Sequence, residues 1–316
     1  MEQNLKILCN ELLKSDSIKT VIGFKEGGEL GLSLPYIFSA PEEADKLVWN
    51  NRCVPNLSGY LLENQIFKSN SSESNTTDSS NSDKQKTAII AKPCDARAIV
   101  SLVQENQIKR DDVYIIGMTC NGMADVNGNL LPACADCTVR TPPLYDTLIG
   151  DECDKGTVLL SRQFAQNSSD NDGTGEPVPR LIDEMSKCIL CFSCRQSCYG
   201  CYCKTCFMER GVPDWQTVSP DLGAKMLYHL GRTMHLSGRC VECGACENAC
   251  ASGVNIRYLI REVTKFIEDT YDYKAGMDLE TEPAMLRYDT NDPEIGFLGF
   301  ESDNSGCCGG GDENVE

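Results

Sequence analysis

Twenty cysteines and only two histidines occur among the 316 residues of this chain, and this imbalance restricts what the chain can fold into. The sequence begins MEQNLKILCNELLKS, which lacks the basic and then apolar order of a secretory signal, and no apolar run is long enough to span a membrane. We therefore predict a cytoplasmic protein, in which thiols stay reduced and disulfides are not expected. Clustered reduced thiols with few histidines indicate metal sites of sulfur alone, either iron–sulfur clusters or all-cysteine zinc sites.

The net charge of the chain excludes some classes of binding partner. Asp and Glu total 47 residues against 29 for Lys and Arg, which gives a net charge of −18. Such a chain lacks the basic surface that nucleic acids and anionic membranes attract. We therefore predict no nucleic-acid partner and no transmembrane segment.

Two cysteine runs carry the most specific signal in the sequence. Each has the spacing Cys-x2-Cys-x2-Cys-x3-Cys, which starts at Cys188 in the first run and at Cys240 in the second. Three cysteines at this spacing let one tight loop bind three iron corners of a [4Fe–4S] cluster, and the fourth cysteine binds the other cluster in two-cluster ferredoxins. Zinc ribbons instead use two separated Cys-x2-Cys pairs. The predicted ligands are Cys188, Cys191, Cys194 and Cys250 for cluster 1, and Cys240, Cys243, Cys246 and Cys198 for cluster 2.

The residues around these runs are predicted to be helical. Apolar residues recur at helical spacing over 221–236, and a strong amphipathic stripe follows Cys250. We place both clusters in a mainly helical domain over 181–275. The gap between Cys198 and Cys240 is long, and this layout resembles the helical ferredoxin domains of fumarate-reductase iron–sulfur subunits and heterodisulfide-reductase subunits.

The first half of the chain has the pattern of an α/β domain, over residues 1–165. Apolar strands are predicted at 87–92 and 112–118, with a helix at 98–107 between them. A strand, a helix and a strand in so short a stretch predict two parallel neighbouring strands joined by a crossover. The predicted fold class is α+β, in which an N-terminal α/β domain with a small parallel sheet precedes a mainly helical dicluster ferredoxin domain.

A third cysteine set lies in this first half. Cys94 follows one predicted strand and Cys120 follows the other, so both are expected at the carboxyl edge of the sheet, where open α/β sheets bind ligands. A Cys-x2-Cys pair comes next. The predicted ligands of a third [4Fe–4S] cluster are Cys94, Cys120, Cys134 and Cys137. The alternatives are buried free cysteines or a single zinc ion, and Cys53 is the reserve ligand.

Three polar stretches divide the chain. Residues 68–86 are rich in Ser, Asn and Asp and are predicted to form a disordered insertion. Residues 166–180 have a similar composition and are predicted to link the two domains. Residues 276–316 are predicted to form an extended acidic tail.

The remaining cysteines and the histidines carry weaker signals. Three cysteines directly after the first run are candidates for a fourth metal centre or for replacing a cluster ligand: Cys201, Cys203 and Cys206. Cys307 and Cys308 resemble part of the CCG motif of heterodisulfide-reductase catalytic subunits and are predicted to be a tail feature. No ligand role is predicted for Cys9, Cys153, His229 and His235.

Several segments resemble one protein family. They are KPCDAR (92–97), GMTCNG (117–122), LPACADC (131–137) and CYCKTCF (201–207). They are similar to iron–sulfur proteins related to the beta subunits of coenzyme F420-reducing hydrogenases and F420-dependent formate dehydrogenases. The resemblance implies [4Fe–4S] clusters, FAD in the members that react with F420, and a place in anaerobic complexes beside heterodisulfide-reductase-like, hydrogenase-like or dehydrogenase-like subunits. The chain has no G-x-G-x-x-G fingerprint after a strand that would indicate a bound dinucleotide.

Together these features predict the electron-transfer subunit, rather than the catalytic subunit, of a multisubunit oxidoreductase. Its clusters are expected to relay electrons between partner subunits. The first alternative is an enzyme that binds FAD and reduces F420 or a similar carrier by hydride transfer. The second alternative is a zinc-bound scaffold that joins other subunits.

Overall fold

The structure is a computed structural model, and it describes residues 1–28, 31–62, 85–152, 177–209 and 220–286. The predicted insertion as far as residue 84, the predicted linker as far as residue 176 and the predicted tail from residue 287 lie outside the described residues. Cys153, Cys307 and Cys308 also lie outside them.

The described residues contain a five-stranded sheet in the first half of the chain. Its strands are β1 (Ile18–Gly27), β2 (Leu32–Phe38), β3 (Lys86–Ala91), β4 (Val113–Met118) and β5 (Thr147–Ile149). The strand order is β2-β1-β3-β4-β5, in which β1 and β2 are antiparallel and the other neighbours are parallel. The predicted parallel pair at 87–92 and 112–118 is confirmed, because Ala91 at the end of β3 lies opposite Gly117 in β4.

Besides a short helical stretch at 59–62, the described parts of the chain contain eight α-helices that we number. They are α1 (Glu2–Lys14), α2 (Pro93–Gln104), α3 (Pro132–Ala135), α4 (Pro177–Ser186), α5 (Ser193–Gln196), α6 (Leu222–His235), α7 (Ala245–Asn248) and α8 (Ile256–Tyr271). Short 3₁₀ turns occur at Pro41–Lys46, Arg110–Asp112 and Phe207–Glu209. A sheet in the first half and helices in the second confirm the α+β fold class, while the ferredoxin character of the helical part stays a prediction.

Three element boundaries differ from those predicted. Helix α2 begins at Pro93 rather than at residue 98, because a proline is tolerated in the first turn and the Asp95 carboxylate accepts a hydrogen bond from the Lys92 amide at 2.9 Å. Lys86 is the first residue of β3 and not part of the insertion. Residues 177–180 open helix α4 and are not part of the linker.

Two hydrophobic cores cover the two faces of the sheet. One face packs against α1 through residues such as Leu5, Val21 and Ile90. The other face packs against α2, and its core also contains Tyr199 and Ile267 from the second half of the chain. The sheet and the helical part therefore share one core, and apolar packing in this core fixes their relative position.

A third core belongs to the helical part alone. Apolar residues of α6 and α8, such as Tyr228 and Ile260, surround the sulfur atoms of both cysteine runs. Cys188, Cys194 and Cys246 are among its buried members. This core contains more thiols than the other two, because most cysteines of the two runs are buried in it or packed against it.

The segment after α8 is held against α2. The buried Arg97 guanidinium donates to the Ala275 carbonyl at 2.8 and 3.0 Å and to the Val241 carbonyl at 3.2 Å. The Gln104 amide donates to the carbonyls of Asp278 and Thr281 at 2.9 and 2.6 Å. The described start of the predicted tail, 276–286, is thus attached to the sheet region rather than extended from it.

No helix in the part of the chain that the structure describes is both long enough and apolar enough to cross a membrane.

Candidate metal centres

The two cysteine runs have the same backbone geometry. The second residue after the first cysteine of each run is left-handed, with φ of 52° at Leu190 and 57° at Glu242. The fourth residue is left-handed too, with φ of 61° at Phe192 and 72° at Gly244. The short helices α5 and α7 then start at equivalent positions. Non-glycine residues in this conformation are uncommon, so its recurrence in both runs indicates a functional constraint on the shape of the loop.

This loop shape turns backbone amides toward the sulfur atoms. The Leu190 amide donates to Cys188 Sγ at 3.3 Å, and the Glu242 amide donates to Cys240 Sγ at 3.4 Å. The Val254 amide donates to Cys250 Sγ at 3.3 Å. Hydrogen bonds of this kind stabilise a thiolate, which is the form that binds metal.

The predicted ligands of cluster 2 line one narrow cavity. The members are Cys240, Cys243 and Cys246 from the second run and Cys198 from the first. Burial, and then the neighbouring thiolates of the same set, raise the pKa of the Cys240 thiol. The structure thus brings a cysteine of the first run to the second run, in the exchange that the spacing predicts.

The predicted ligands of cluster 1 meet at the helical core. Cys188 and Cys194 are buried there, Cys250 packs against them, and Cys191 is exposed. Burial raises the pKa of the Cys188 thiol, the Leu190 amide lowers it, and the thiolates of Cys194, Cys250 and Cys191 raise it again. The pKa effects of these three thiolates show that the four side chains are neighbours.

Helix α6 adds polar groups that the sequence analysis did not identify. The Tyr228 hydroxyl lies 3.4 Å from Cys194 Sγ, and His229 Nε2 lies 3.3 Å from Cys188 Sγ. Burial, with a smaller effect from Arg232, lowers the pKa of His229 to about 4. His229 therefore contacts a predicted ligand, whereas His235 stacks edge-on against Phe207. The signal in the sequence was a set of polar side chains at positions i, i+1 and i+4 of one helix, Tyr228, His229 and Arg232.

The candidates for a fourth centre do not form a separate set. Cys201 donates a hydrogen bond to the Cys198 sulfur, which lowers the pKa of Cys198 and raises that of Cys201. Cys203 is exposed, and Cys206 packs at the edge of the helical core. Cys198 and Cys201 therefore form one hydrogen-bonded pair of sulfur atoms.

The predicted third set lines a cavity of about 110 Å³ at the carboxyl edge of β3 and β4. Its cysteines are Cys94, Cys120, Cys134 and Cys137. The Gly122 amide donates to Cys120 Sγ and the Met123 amide donates to Cys134 Sγ, both at 3.3 Å. Burial raises the pKa of Cys120 to about 11. Because about 10–15 Å³ is enough for one water molecule, this cavity has room for a group larger than a single ion.

Basic side chains surround this third cavity, although the chain as a whole is strongly acidic. They are Lys92, Arg97, Arg140, Arg257, Arg261 and Lys274. Arg140 is buried, and its Nη2 atom has no hydrogen-bond partner among the described residues. Four of these six side chains form ion pairs with carboxylates: Lys92 with Asp95, Arg257 and Arg261 with Asp136, and Lys274 with Glu268. The donor set and the unpaired Nη2 of Arg140 therefore fit an anionic iron–sulfur cluster, since a [4Fe–4S] core with four thiolates carries a net negative charge.

A single zinc ion is the alternative for these sets, and it would need four sulfur atoms about 2.3 Å from one centre. Within the described residues, no group of three or more Cys, His, Asp or Glu side chains is placed to hold a metal ion.

The cavities of the second and third sets adjoin one another. Cys243 lines both of them. Burial and Asp95 raise the pKa of Cys94, and the thiolate of Cys243 also contributes to this increase. A continuous path of cysteines therefore runs from the sheet edge into the helical part.

The two other cysteines of the first half lie apart from this path. Cys53 is buried, accepts a hydrogen bond from the Asn50 amide at 3.4 Å, and does not line the third cavity. Cys9 lies in the core beneath α1, and burial raises its pKa to about 12.

A much larger cavity, of about 1,020 Å³, lies between the sheet region and the helical part. Its wall contains Arg52, Asn56 and Tyr60 from the first half and Cys198 and Cys201 from the second. Cavities that bind small molecules and cofactors are usually of about this size or smaller.

The comparisons with known proteins agree with this picture. No protein-family model matches the chain. The chain is 21% identical to the F420-dependent formate dehydrogenase subunit beta of Methanocaldococcus jannaschii, over 87% of the chain and 92% of that protein. It is 20% identical to the F420-dependent formate dehydrogenase 1 subunit beta of Methanococcus maripaludis, over 88% of the chain and 91% of that protein. The chain therefore resembles the beta subunits of F420-dependent formate dehydrogenases along most of its length.

Proposed function

We propose that this protein is an iron–sulfur electron-transfer subunit of a multisubunit anaerobic oxidoreductase in the cytoplasm. The observation that carries the proposal is the adjacency of three cysteine sets along one path. Cys243 belongs to the wall of two neighbouring cavities. The thiolates of Cys198 and Cys194 both influence the pKa of Cys246, which links the second set to the first.

The chain's own residues would hold three [4Fe–4S] clusters. The ligands are the three cysteine sets described above. When bound, such clusters accept and release single electrons. The loop amides at Leu190, Glu242 and Gly122 hold the thiolates by hydrogen bonds, and the basic wall of the third cavity offsets the negative charge there.

A relay needs a donor and an acceptor on other subunits. Cys191 of the first set is exposed, so this end of the path reaches the surface of the described structure. Both relatives are named as beta subunits of formate dehydrogenases, which supports a role beside other subunits. The partner classes we propose are heterodisulfide-reductase-like, hydrogenase-like and dehydrogenase-like subunits.

The test is the amount of iron, acid-labile sulfide, zinc and flavin per chain in protein purified without oxygen. We expect about twelve irons with equal sulfide, at four irons per cluster. Cys120→Ser is expected to lower the iron to about eight, because it removes one ligand of the third set. Cys9→Ser is the matched control and is expected to leave iron unchanged, since this buried cysteine lies in a different core. Zinc in place of iron would refute the proposal.

A flavin enzyme is the second candidate, and one observation favours it. The large cavity places Cys198 and Cys201 in its wall, so a cofactor bound there would lie beside the cysteine path. Both relatives are named as F420-dependent, which is consistent with a hydride-accepting carrier. One flavin per chain would favour this candidate, with the cavity as the FAD site. Protein with twelve irons and no flavin would exclude it.

A further inference from the structure

Arg232 of helix α6 is a buried cation that no described carboxylate neutralises. Its side chain belongs to a residue that is only 3% exposed. Nη2 donates to the Cys194 carbonyl at 3.1 Å, whereas Nε and Nη1 have no hydrogen-bond partner among the described residues. No described carboxylate forms an ion pair with it. An unpaired buried charge is costly, so a side chain of this kind indicates a missing anion.

The other buried arginine beside this site is paired differently. Arg257 is 6% exposed and forms ion pairs with Asp136 at 3.0 Å and with Glu247 at 3.4 Å. Both arginines line the cavity of cluster 2. Two carboxylates thus neutralise Arg257, whereas no carboxylate among the described residues neutralises Arg232.

Cysteine side chains surround Arg232. It shares the cavity wall with the predicted ligands of cluster 2, and it is tied to cluster 1 by its bond to Cys194. The guanidinium therefore lies between ligands of both clusters.

We propose that Arg232 is the shared counter-charge of clusters 1 and 2 and raises the reduction potential of both. This inference rests on the proposed function, because it requires the clusters. Reduction adds an electron to a group that is already negative, and a cation held nearby in a poorly solvated site favours the reduced state. Arg232 is a positioning residue, since it acts through the clusters and not on a substrate. The third cluster has its own basic wall and is not expected to depend on Arg232.

The experiment compares reduction potentials in single variants of the full chain. Wild type, Arg232→Met and Arg232→Lys are titrated with a chemical reductant while electron paramagnetic resonance follows each cluster. In Arg232→Met we expect two of three midpoint potentials to become more negative and the third to stay unchanged. Arg232→Lys, which keeps the charge, is expected to retain most of the wild-type potentials.

Lys225→Met is the matched control. It removes the same charge from the same helix, but Lys225 bonds to the Ser186 carbonyl at the exposed surface. Its potentials are expected to equal those of wild type. A merely structural role of Arg232 would change cluster content or stability without this pattern of two shifted potentials and one constant potential.

Each outcome decides between the inference and the proposed function. Iron-free wild-type protein refutes the proposed function itself. Full iron content in Arg232→Met with unchanged potentials refutes only the counter-charge. If Arg232→Met loses its iron while Arg232→Lys keeps it, the requirement for charge is supported. If the lysine variant also loses its iron, the shape of arginine is what matters and the counter-charge is wrong.

Discussion

The two cysteine-rich regions of this protein are built in opposite ways. In the helical part, each run is a local loop, and its thiols occupy the middle of the core: Cys188, Cys194 and Cys246 are buried among apolar side chains of α6 and α8. At the sheet edge, the set comes from three separate segments, and only Cys120 of the set is a buried member of the neighbouring core. We expect the first region to depend on its metal for folding more strongly than the second, because its thiols form the middle of its core.

The difference also appears in how negative charge is neutralised. The third cavity has a wall of six basic side chains drawn from both halves of the chain. The helical sets rely on amides at left-handed positions, such as Leu190 and Glu242, and on the buried Arg232. Both kinds of site have local amide donors, Gly122 and Met123 at the sheet edge included, and the site assembled by tertiary structure adds long basic side chains from distant parts of the chain.

Removal of iron is the strongest way to test this comparison. We expect chelation under mild oxidation to unfold the helical part and to leave the sheet folded, because metal binding and folding are coupled where ligands form the core. Hydrogen exchange measured by mass spectrometry is expected to show loss of protection in α6 and α8. Protection in β3 and β4 is expected to remain. Equal loss of protection in both regions would show that the regions fold as one unit and would contradict the comparison.

Asp95→Ala tests the second region and is expected to have the largest effect of any single substitution there. The Asp95 carboxylate is fully buried and accepts hydrogen bonds from the amides of Leu57 and Lys92 at 2.8 and 2.9 Å. It also pairs with Lys92 Nζ at 2.9 Å. Loss of one partner from a buried ion pair costs about 3–5 kcal/mol. Urea unfolding followed by circular dichroism measures this change in the free energy of unfolding.

Lys187→Ala is the control for that measurement. The Lys187–Glu184 pair is equally short, at 2.6 Å, but it lies on the exposed side of the helical part. Exposed pairs contribute about 0–1 kcal/mol, so a small change is expected. A loss for Asp95→Ala as small as that for Lys187→Ala would show that the sheet edge does not depend on its buried pair.

The sequence predicted the local features of both regions better than the long-range ones. The spacing of each run predicts the exchange of Cys198 and Cys250 between the clusters, which stays a prediction, and Cys198 lines one cavity with the cysteines of the second run. Strands β3 and β4 were predictable from short apolar runs, and their parallel pairing followed from the intervening helix. That pairing placed Cys94 and Cys120 at one edge.

The long-range features had no local signal. Nothing in the sequence near Cys94 indicates that Arg257 and Lys274, far along the chain, complete the wall of its cavity. The start of α2 at Pro93 was predictable from the proline and Asp95, but apolar spacing alone marked a later start. The contact of His229 with Cys188 depends on how α6 packs over the first run, and tertiary packing of this kind cannot be obtained from helical spacing.

Arg97→Met tests whether the two regions depend on their junction. Its guanidinium joins α2 to the carbonyls of Val241 and Ala275 by three hydrogen bonds. Without it, two buried carbonyls lose their donors, at about 1–3 kcal/mol each. We expect the unfolding transition to separate into two steps, with the helical part unfolding first. Gln104→Met, which removes an exposed contact from the same helix, is expected to keep a single transition, and the same behaviour in Arg97→Met would show that apolar packing alone holds the junction.

Gly244→Ala is expected to have the smallest effect on stability. Although the substitution lies in the helical region, we expect it to change the site at the sheet edge. Gly244 has φ of 72° and Gly253 has φ of 63°, so an alanine at either position costs about 1–2 kcal/mol in backbone strain. A Cβ atom at Gly244 would also lie 2.5 Å from the Cβ of Ala133, whereas one at Gly253 meets no atom within 4 Å. Ala133 precedes Cys134, a predicted ligand of the third cluster. We therefore expect Gly244→Ala, and not Gly253→Ala, to alter the paramagnetic resonance signal of the third cluster, although the substitution is in the second run. Equal spectra for the two variants would mean that the helical loop does not support the sheet-edge site, and the two regions would then be linked through the Arg97 junction, their shared core and ion pairs such as Arg257–Asp136.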